Sequence, residues 1–276
     1  MISLRNILDK TGVAEELMFQ SATPSALKQQ AYERFTMRLY QFLLESLKYF
    51  IFVKILYIMK SYTKKQIISM CQEHIKNPDF FYQNNFVNYR GRCKDCNELY
   101  TEVIAEYILQ NLEEFNIKTI TRNSSYKIAT HKGKINENSN RIEEKMAISM
   151  YRQTYEEYGT VLDYQIPLKN SRGDKGVGKI DLISLKDDTL YLLELKRSDS
   201  KETLLRCALE IYTYISRVNH ARLLADYNLD ENTKIIAAPL ICENGFQHNE
   251  FLENKQSKVI ELMNKLNIHA PFTYKG

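Results

Sequence analysis

The chain has 276 residues, 44% hydrophobic and 26% charged, with 9 Gly, 5 Pro, 19 Tyr and no Trp. This composition excludes wholesale disorder and points to a packed core built from long regular elements with few breaks. The net charge of +4 does not by itself announce a nucleic-acid binder, but it divides unevenly: residues 1–139 hold 19 basic against 14 acidic side chains, and residues 140–276 hold 19 against 20.

The opening Met1-Ile2-Ser3-Leu4-Arg5 runs into mixed polar sequence, so no export signal is expected. Thr23-Pro24-Ser25 signals a helix start, and helical spacing follows from about Ala26 to Met59. Its most apolar part, Phe42 to Met59, is interrupted by Glu45, Lys48 and Lys54. A bilayer span needs about 20 apolar residues with few charges, so a buried helix is expected and no membrane partner. Thr63 is placed to cap a second helix reaching about Lys76, which Asn77-Pro78-Asp79 stops. An aromatic loop follows to Tyr89, then a helix over 97–115 and a short hairpin around Asn123-Ser124. The first half thus reads as a mostly α-helical domain, residues 1–135, suited to substrate selection or assembly.

The polar stretch from Lys132 to Asn140 has no period and marks the expected domain boundary. In residues 136–276 the spacing predicts a helix over 141–158 and a strand over 160–168. A Gly-rich turn follows over 170–178, then strands over 179–185 and 189–196 joined by Lys186-Asp187-Asp188. A helix over 201–227, a buried strand over 234–241 and a closing helix over 246–266 complete the chain. The order α-β-β-β-α-β-α predicts an α/β (α+β) domain with a central mixed sheet flanked by helices.

Residues two apart in a strand share a face, so Glu194 and Lys196 project together while Leu195 packs on the other side. A hairpin in this register brings Asp181 near Glu194. Two carboxylates held together repel unless a cation sits between them, and a hard divalent ion with oxygen ligands, Mg²⁺ or Mn²⁺, relieves the repulsion. Lys196 beside it is placed to orient or deprotonate a water. These residue types together suit metal-assisted phosphodiester hydrolysis.

Gly178-Lys179-Ile180-Asp181, twelve residues, then Glu194-Leu195-Lys196 resembles the PD-(D/E)xK nuclease superfamily, the restriction-endonuclease-like fold, over about residues 140–245. The resemblance implies that Asp181 and Glu194 bind the metal, that the Leu195 carbonyl joins its shell, and that Lys196 assists the nucleophilic water. It also implies a Glu from the preceding helix: Glu143 is favoured, with Glu144 beside it. The family's Gln-xxx-Tyr pair is matched by Glu210 and Tyr214, Glu replacing Gln, and its Pro before the Asp is Ile180 here. Lys169, Arg172, Lys175 and Lys179 are placed to reach a phosphate backbone.

Gly173 to Lys179 has phosphate-loop spacing, but Ile180 stands where Ser or Thr would meet Mg²⁺, and a strand rather than a helix follows. Five cysteines, at 71, 93, 96, 207 and 242, suit a reducing cytoplasm. Cys71 and His74 with Cys93 and Cys96 have the spacings of a Zn²⁺ quartet, but Cys71 falls mid-helix, where a buried thiol is expected instead. The resulting expectation is a cytoplasmic Mg²⁺-dependent restriction or defence endonuclease acting on DNA, possible as a homodimer because each active site serves one strand. The competing readings are an inactive nuclease-fold protein that binds nucleic acid or a protein partner, and an RNA-directed nuclease.

Overall fold

A computed structural model describes residues 32, 34–48, 61–120, 122–170, 174, 176–253 and 256–276. The chain forms two compact units, Met1–Ser61 and Tyr62–Gly276. In the first, residues 34–48 are helical. The rest of the expected helix, with its Thr23-Pro24-Ser25 start, lies outside the described residues. Among the described residues, no helix is long and apolar enough to cross a membrane.

In the second unit, α1 (Lys64–His74) begins at Thr63, whose hydroxyl accepts from the Gln66 amide while the Gln66 side chain accepts from the Thr63 amide. This capping box satisfies two of the amides that a helix start leaves without partners. Two 3₁₀ turns, Pro78–Gln83 and Asn85–Asn88, then replace the expected aromatic loop. They bury Phe81, Tyr82, Phe86 and Val87, and Phe81 meets Phe86 and Phe115 edge-on at 5.5 and 5.3 Å between centroids. α2 (Tyr100–Gln110) is shorter than the 97–115 expected and buries one face through Val103, Ile104 and Ile108. No strand forms among the described residues of 117–131, so the expected hairpin is absent. That segment instead bonds to helical partners: the Ile120 amide to Arg217 O, and the Tyr126 amide to the Asp226 carboxylate.

α3 (Ile142–Met150) stops well before Tyr158, because β1 (Thr154–Tyr155) turns back to pair with β2 (Gly159–Pro167). The buried face of α3 is Ala147, Ile148 and Met150, and Ile142 is exposed. β3 (Lys179–Lys186) and β4 (Thr189–Leu195) form a hairpin closed by Asp187-Asp188, with Asp187 at φ +50°. α4 (Leu204–Arg217) and α5 (His220–Asp226) divide the single helix expected over 201–227. The break falls where Val218 turns extended and Asn219 caps α5 through the Arg222 amide. β5 (Lys234–Cys242) runs parallel to β4. α6 (Phe246–Leu252) and α7 (Ser257–Lys265) divide the closing helix, and a final strand not foreseen, β6 (Phe272–Tyr274), pairs parallel to β5.

The result is a six-stranded mixed sheet in the order β1-β2-β3-β4-β5-β6 with helices about it. One buried cluster joins Leu190 and Leu192 of the sheet to Leu205 and Ile211 of α4 and to Ile67, Phe81 and Ile104 of the earlier elements. A second joins Leu193, Leu195 and Leu240 to Ala147 and Ile148 of α3. The expected division at 135/136 is therefore corrected: residues 62–135 share a core with the sheet, and the division falls at Ser61/Tyr62. The short-range cue, a polar stretch, marked a surface connection rather than a gap in packing.

Candidate active site

The β3–β4 register pairs Leu182 with Leu193, so its next step sets Asp181 opposite Glu194. Directly opposed residues of an antiparallel pair share a face. Alternation along β4 puts Glu194 and Lys196 on that face too, toward α4. The three side chains that the spacing singled out do converge. They line a cavity of about 620 Å³ with Glu143, Glu144, Lys179, Glu210 and Tyr214.

Asp181 is held from two sides. Its Oδ1 accepts from Gln165 Nε2 at 2.7 Å and its Oδ2 from the Leu195 amide at 3.0 Å. Gln165 sits in β2 with φ +49°, a backbone conformation that costs a non-glycine residue about 1 kcal/mol or more. Sequence reasoning missed this residue, since nothing in its neighbours signals a left-handed position within a strand.

Lys196 is 5% exposed and its Nζ meets three carboxylates: Glu194 Oε1 at 2.8 Å, Glu202 Oε2 at 2.8 Å and Glu210 Oε2 at 3.0 Å. Burial disfavours its charge, but Glu194, Glu210 and Glu202 overcome that and hold the ammonium well above its usual range. In this arrangement Lys196 is a donor and a fixed charge rather than a base. Glu202, which also pairs with Arg206 at 2.9 Å, was not foreseen. It lies in the connection before α4, where no periodicity reports position.

Burial pushes the Asp181 carboxyl up to about 7, and Glu210 and Glu143 nearby add to the rise. Burial, with repulsion from Asp181 and Glu210, pushes Glu194 well above the carboxylate range. Its Oε2 is buried with no hydrogen-bond partner among the described residues. Glu210 behaves oppositely: burial works against its charge, but Lys196 and the Tyr214 hydroxyl hold it below the usual range. Glu210 therefore serves as an anchor for Lys196. Tyr214 Oη donates to Glu210 Oε1 at 2.8 Å and meets Tyr82 Oη at 3.3 Å, so the 3₁₀ segment reaches the site. A Cβ on Gly178, at φ +85°, would lie 2.5 Å from Tyr214 Oη, so this position needs glycine.

Glu143 is half-buried; burial raises its pKa, and the nearby Lys196 ammonium and the Arg197 amide oppose that rise. Glu144 also lines the cavity but is bonded to Arg141 at 3.1 Å. Lys179 Nζ lies 3.5 Å from Gln165 Oε1. Lys175 and Arg172 lie outside the described residues, and Lys169 is exposed. Leu195 is fully buried in the second core cluster.

The Zn²⁺ quartet drawn from sequence does not assemble. Cys93 and Cys96 converge with Asp95, and neither Cys71 nor His74 joins them. Cys71 is buried in α1, which pushes its thiol up to about 12, and His74 Nδ1 lies 2.9 Å from Met70 O.

The site's walls carry six carboxylates against four cationic side chains. A scan against protein-family models gives no match for this chain, and searches of curated proteins and of solved structures give none.

Proposed function

We propose that this protein is a Mg²⁺- or Mn²⁺-dependent nuclease that hydrolyses DNA phosphodiester bonds, an endonuclease of restriction or defence type on a PD-(D/E)xK-like fold. The observation that carries the reading is the buried Glu194 Oε2, without a hydrogen-bond partner among the described residues, near Asp181, both acids raised by burial and by neighbouring carboxylates. An all-oxygen donor set of this kind fits a hard divalent cation. Asp181 and Glu194 would hold it, with Glu143 a further carboxylate from α3. When bound, such a cation polarises a phosphoryl oxygen and stabilises the charge that develops on it.

The chain's own residues do the rest. Gln165 and the Leu195 amide fix the Asp181 carboxylate. Glu194, Glu202 and Glu210 take the three protons of Lys196 Nζ, so what it presents to a phosphate oxygen or a water is fixed positive charge. Lys179, on the cavity wall, offers a contact to the phosphate backbone. Cutting both strands calls for two such sites, which a homodimer supplies.

The test is cleavage of plasmid DNA with Mg²⁺ or Mn²⁺, alongside Glu194→Ala and Lys196→Ala and with a matched RNA. Cutting that survives both substitutions, or that ignores EDTA, refutes the reading; cutting of RNA alone moves the substrate. One observation favours a second reading, an inactive nuclease-fold protein that binds nucleic acid or a protein partner: three carboxylates already occupy Lys196. It predicts salt-dependent binding and no cleavage with any metal.

A further inference from the structure

We propose that Cys93, Asp95 and Cys96 form a second metal site, for Zn²⁺ or a comparable borderline divalent ion, separate from the carboxylate cluster. One donor atom from each residue lies within 4.8 Å of the other two. Tetrahedral zinc, with Zn–S of about 2.3 Å, sets two sulfur ligands roughly 3.8 Å apart, so small side-chain rotations close the set. Two thiols select against the hard ions suited to Asp181 and Glu194.

The loop is built to present these donors. Arg92 and Leu99 bridge antiparallel at its base. The Cys93 amide donates to Glu98 O at 2.8 Å and the Asn97 amide to Cys93 O at 3.0 Å, with Asn97 at φ +60° making the return. Cys93 Sγ sits in the buried wall, while Asp95 and Cys96 stand at the surface. Asp95 is also oriented from behind: its Oδ1 accepts from the Lys64 amide at the start of α1, at 2.9 Å, which leaves Oδ2 for the ion. The Lys94 amide ties the same turn to Tyr62 O at 3.0 Å. The Glu98 oxygens accept from Lys64 Nζ at 3.0 and 2.8 Å, and Glu98 also hydrogen-bonds the Cys96 side chain. The fourth corner falls to Glu98 or to solvent, and the bound ion clamps residues 92–99 against the start of α1.

Co²⁺ is the probe. Added to the full-length, reduced, metal-stripped protein, it is expected to bind at a thiolate site and give sulfur-to-cobalt charge-transfer absorption, to which carboxylate ligation does not contribute. Cys96→Ser, at an exposed position, removes that absorption; Asp95→Asn keeps it but weakens binding about 10-fold or more. Glu194→Gln leaves it unchanged, so failure of the nuclease reading and failure of this one are separable. Zn²⁺ displaces the cobalt and abolishes the band. The inference is overturned if the reduced wild type shows no charge-transfer band, if the band persists in Cys96→Ser, or if Glu194→Gln removes it.

Discussion

Glu194→Gln separates a carboxylate kept for a cation from one kept for the fold. Glu194 is 4% exposed; its Oε1 accepts from Lys196 and its Oε2 has no hydrogen-bond partner among the described residues. Glutamine keeps the shape and the Oε1 acceptor, and Lys196 keeps Glu202 and Glu210. The loss is the difference between a charge-assisted and a neutral hydrogen bond, about 1 kcal/mol. The gain is relief of a buried charge whose pairing with Lys196 is outweighed by burial and by repulsion from Asp181 and Glu210, an effect of several kcal/mol in similar settings. The balance stabilises the metal-free protein by about 1–3 kcal/mol, or roughly 2–10 °C in Tm for a unit of this size. With no Trp in the chain, far-UV circular dichroism is the suitable readout. In EDTA at pH 8 the variant is expected to melt above the wild type. Added Mg²⁺ or Mn²⁺ should raise the wild-type Tm by binding the native state and leave the variant unmoved. A variant that melts lower than the wild type in EDTA refutes the reasoning, because Glu194 would then be fully compensated by its neighbours.

Gln165→Ala removes one of the two donors to Asp181 and should weaken divalent-ion binding by about 10–100-fold with little change in Tm; isothermal titration measures it, and an unchanged affinity removes Gln165 from the positioning role. Gly178→Ala forces a Cβ onto Tyr214 at a left-handed position, and chemical denaturation should show a loss of about 2 kcal/mol or more. Glu250 lies outside the site and accepts from the Leu204 amide at 2.7 Å, yet burial pushes its carboxyl up to about 7. Between its unfolded value of 4.5 and about 7 the native state binds more protons than the unfolded state, so Glu250 makes stability fall as pH rises through that window, by up to about 3 kcal/mol. Glu250→Gln should flatten that part of the stability–pH profile and lie above the wild type at pH 8; a slope identical to wild type would show that Glu250 titrates alike in both states.

The parts legible from the residues alone were those set by neighbours in the chain. Thr63 declares a helix start, alternation over 179–196 declares two strands, and Asp187-Asp188 closes them into a hairpin in the register that faces Asp181 with Glu194. Period-two geometry then puts Lys196 beside Glu194 without reference to any distant residue. Packing decided what came from far along the chain. The donor to Asp181 is Gln165 of β2, the partners of Lys196 include Glu202 and Glu210, and Tyr82 from the first half touches Tyr214. The aromatic run 80–89 looked like a loop because 3₁₀ turns leave no long period, and its rings found burial against Phe115 and α4. The polar stretch near residue 135 looked like a boundary because hydrophobic burial depends on proximity in space, and it is Ile67, Phe81 and Ile104 that meet the sheet's core.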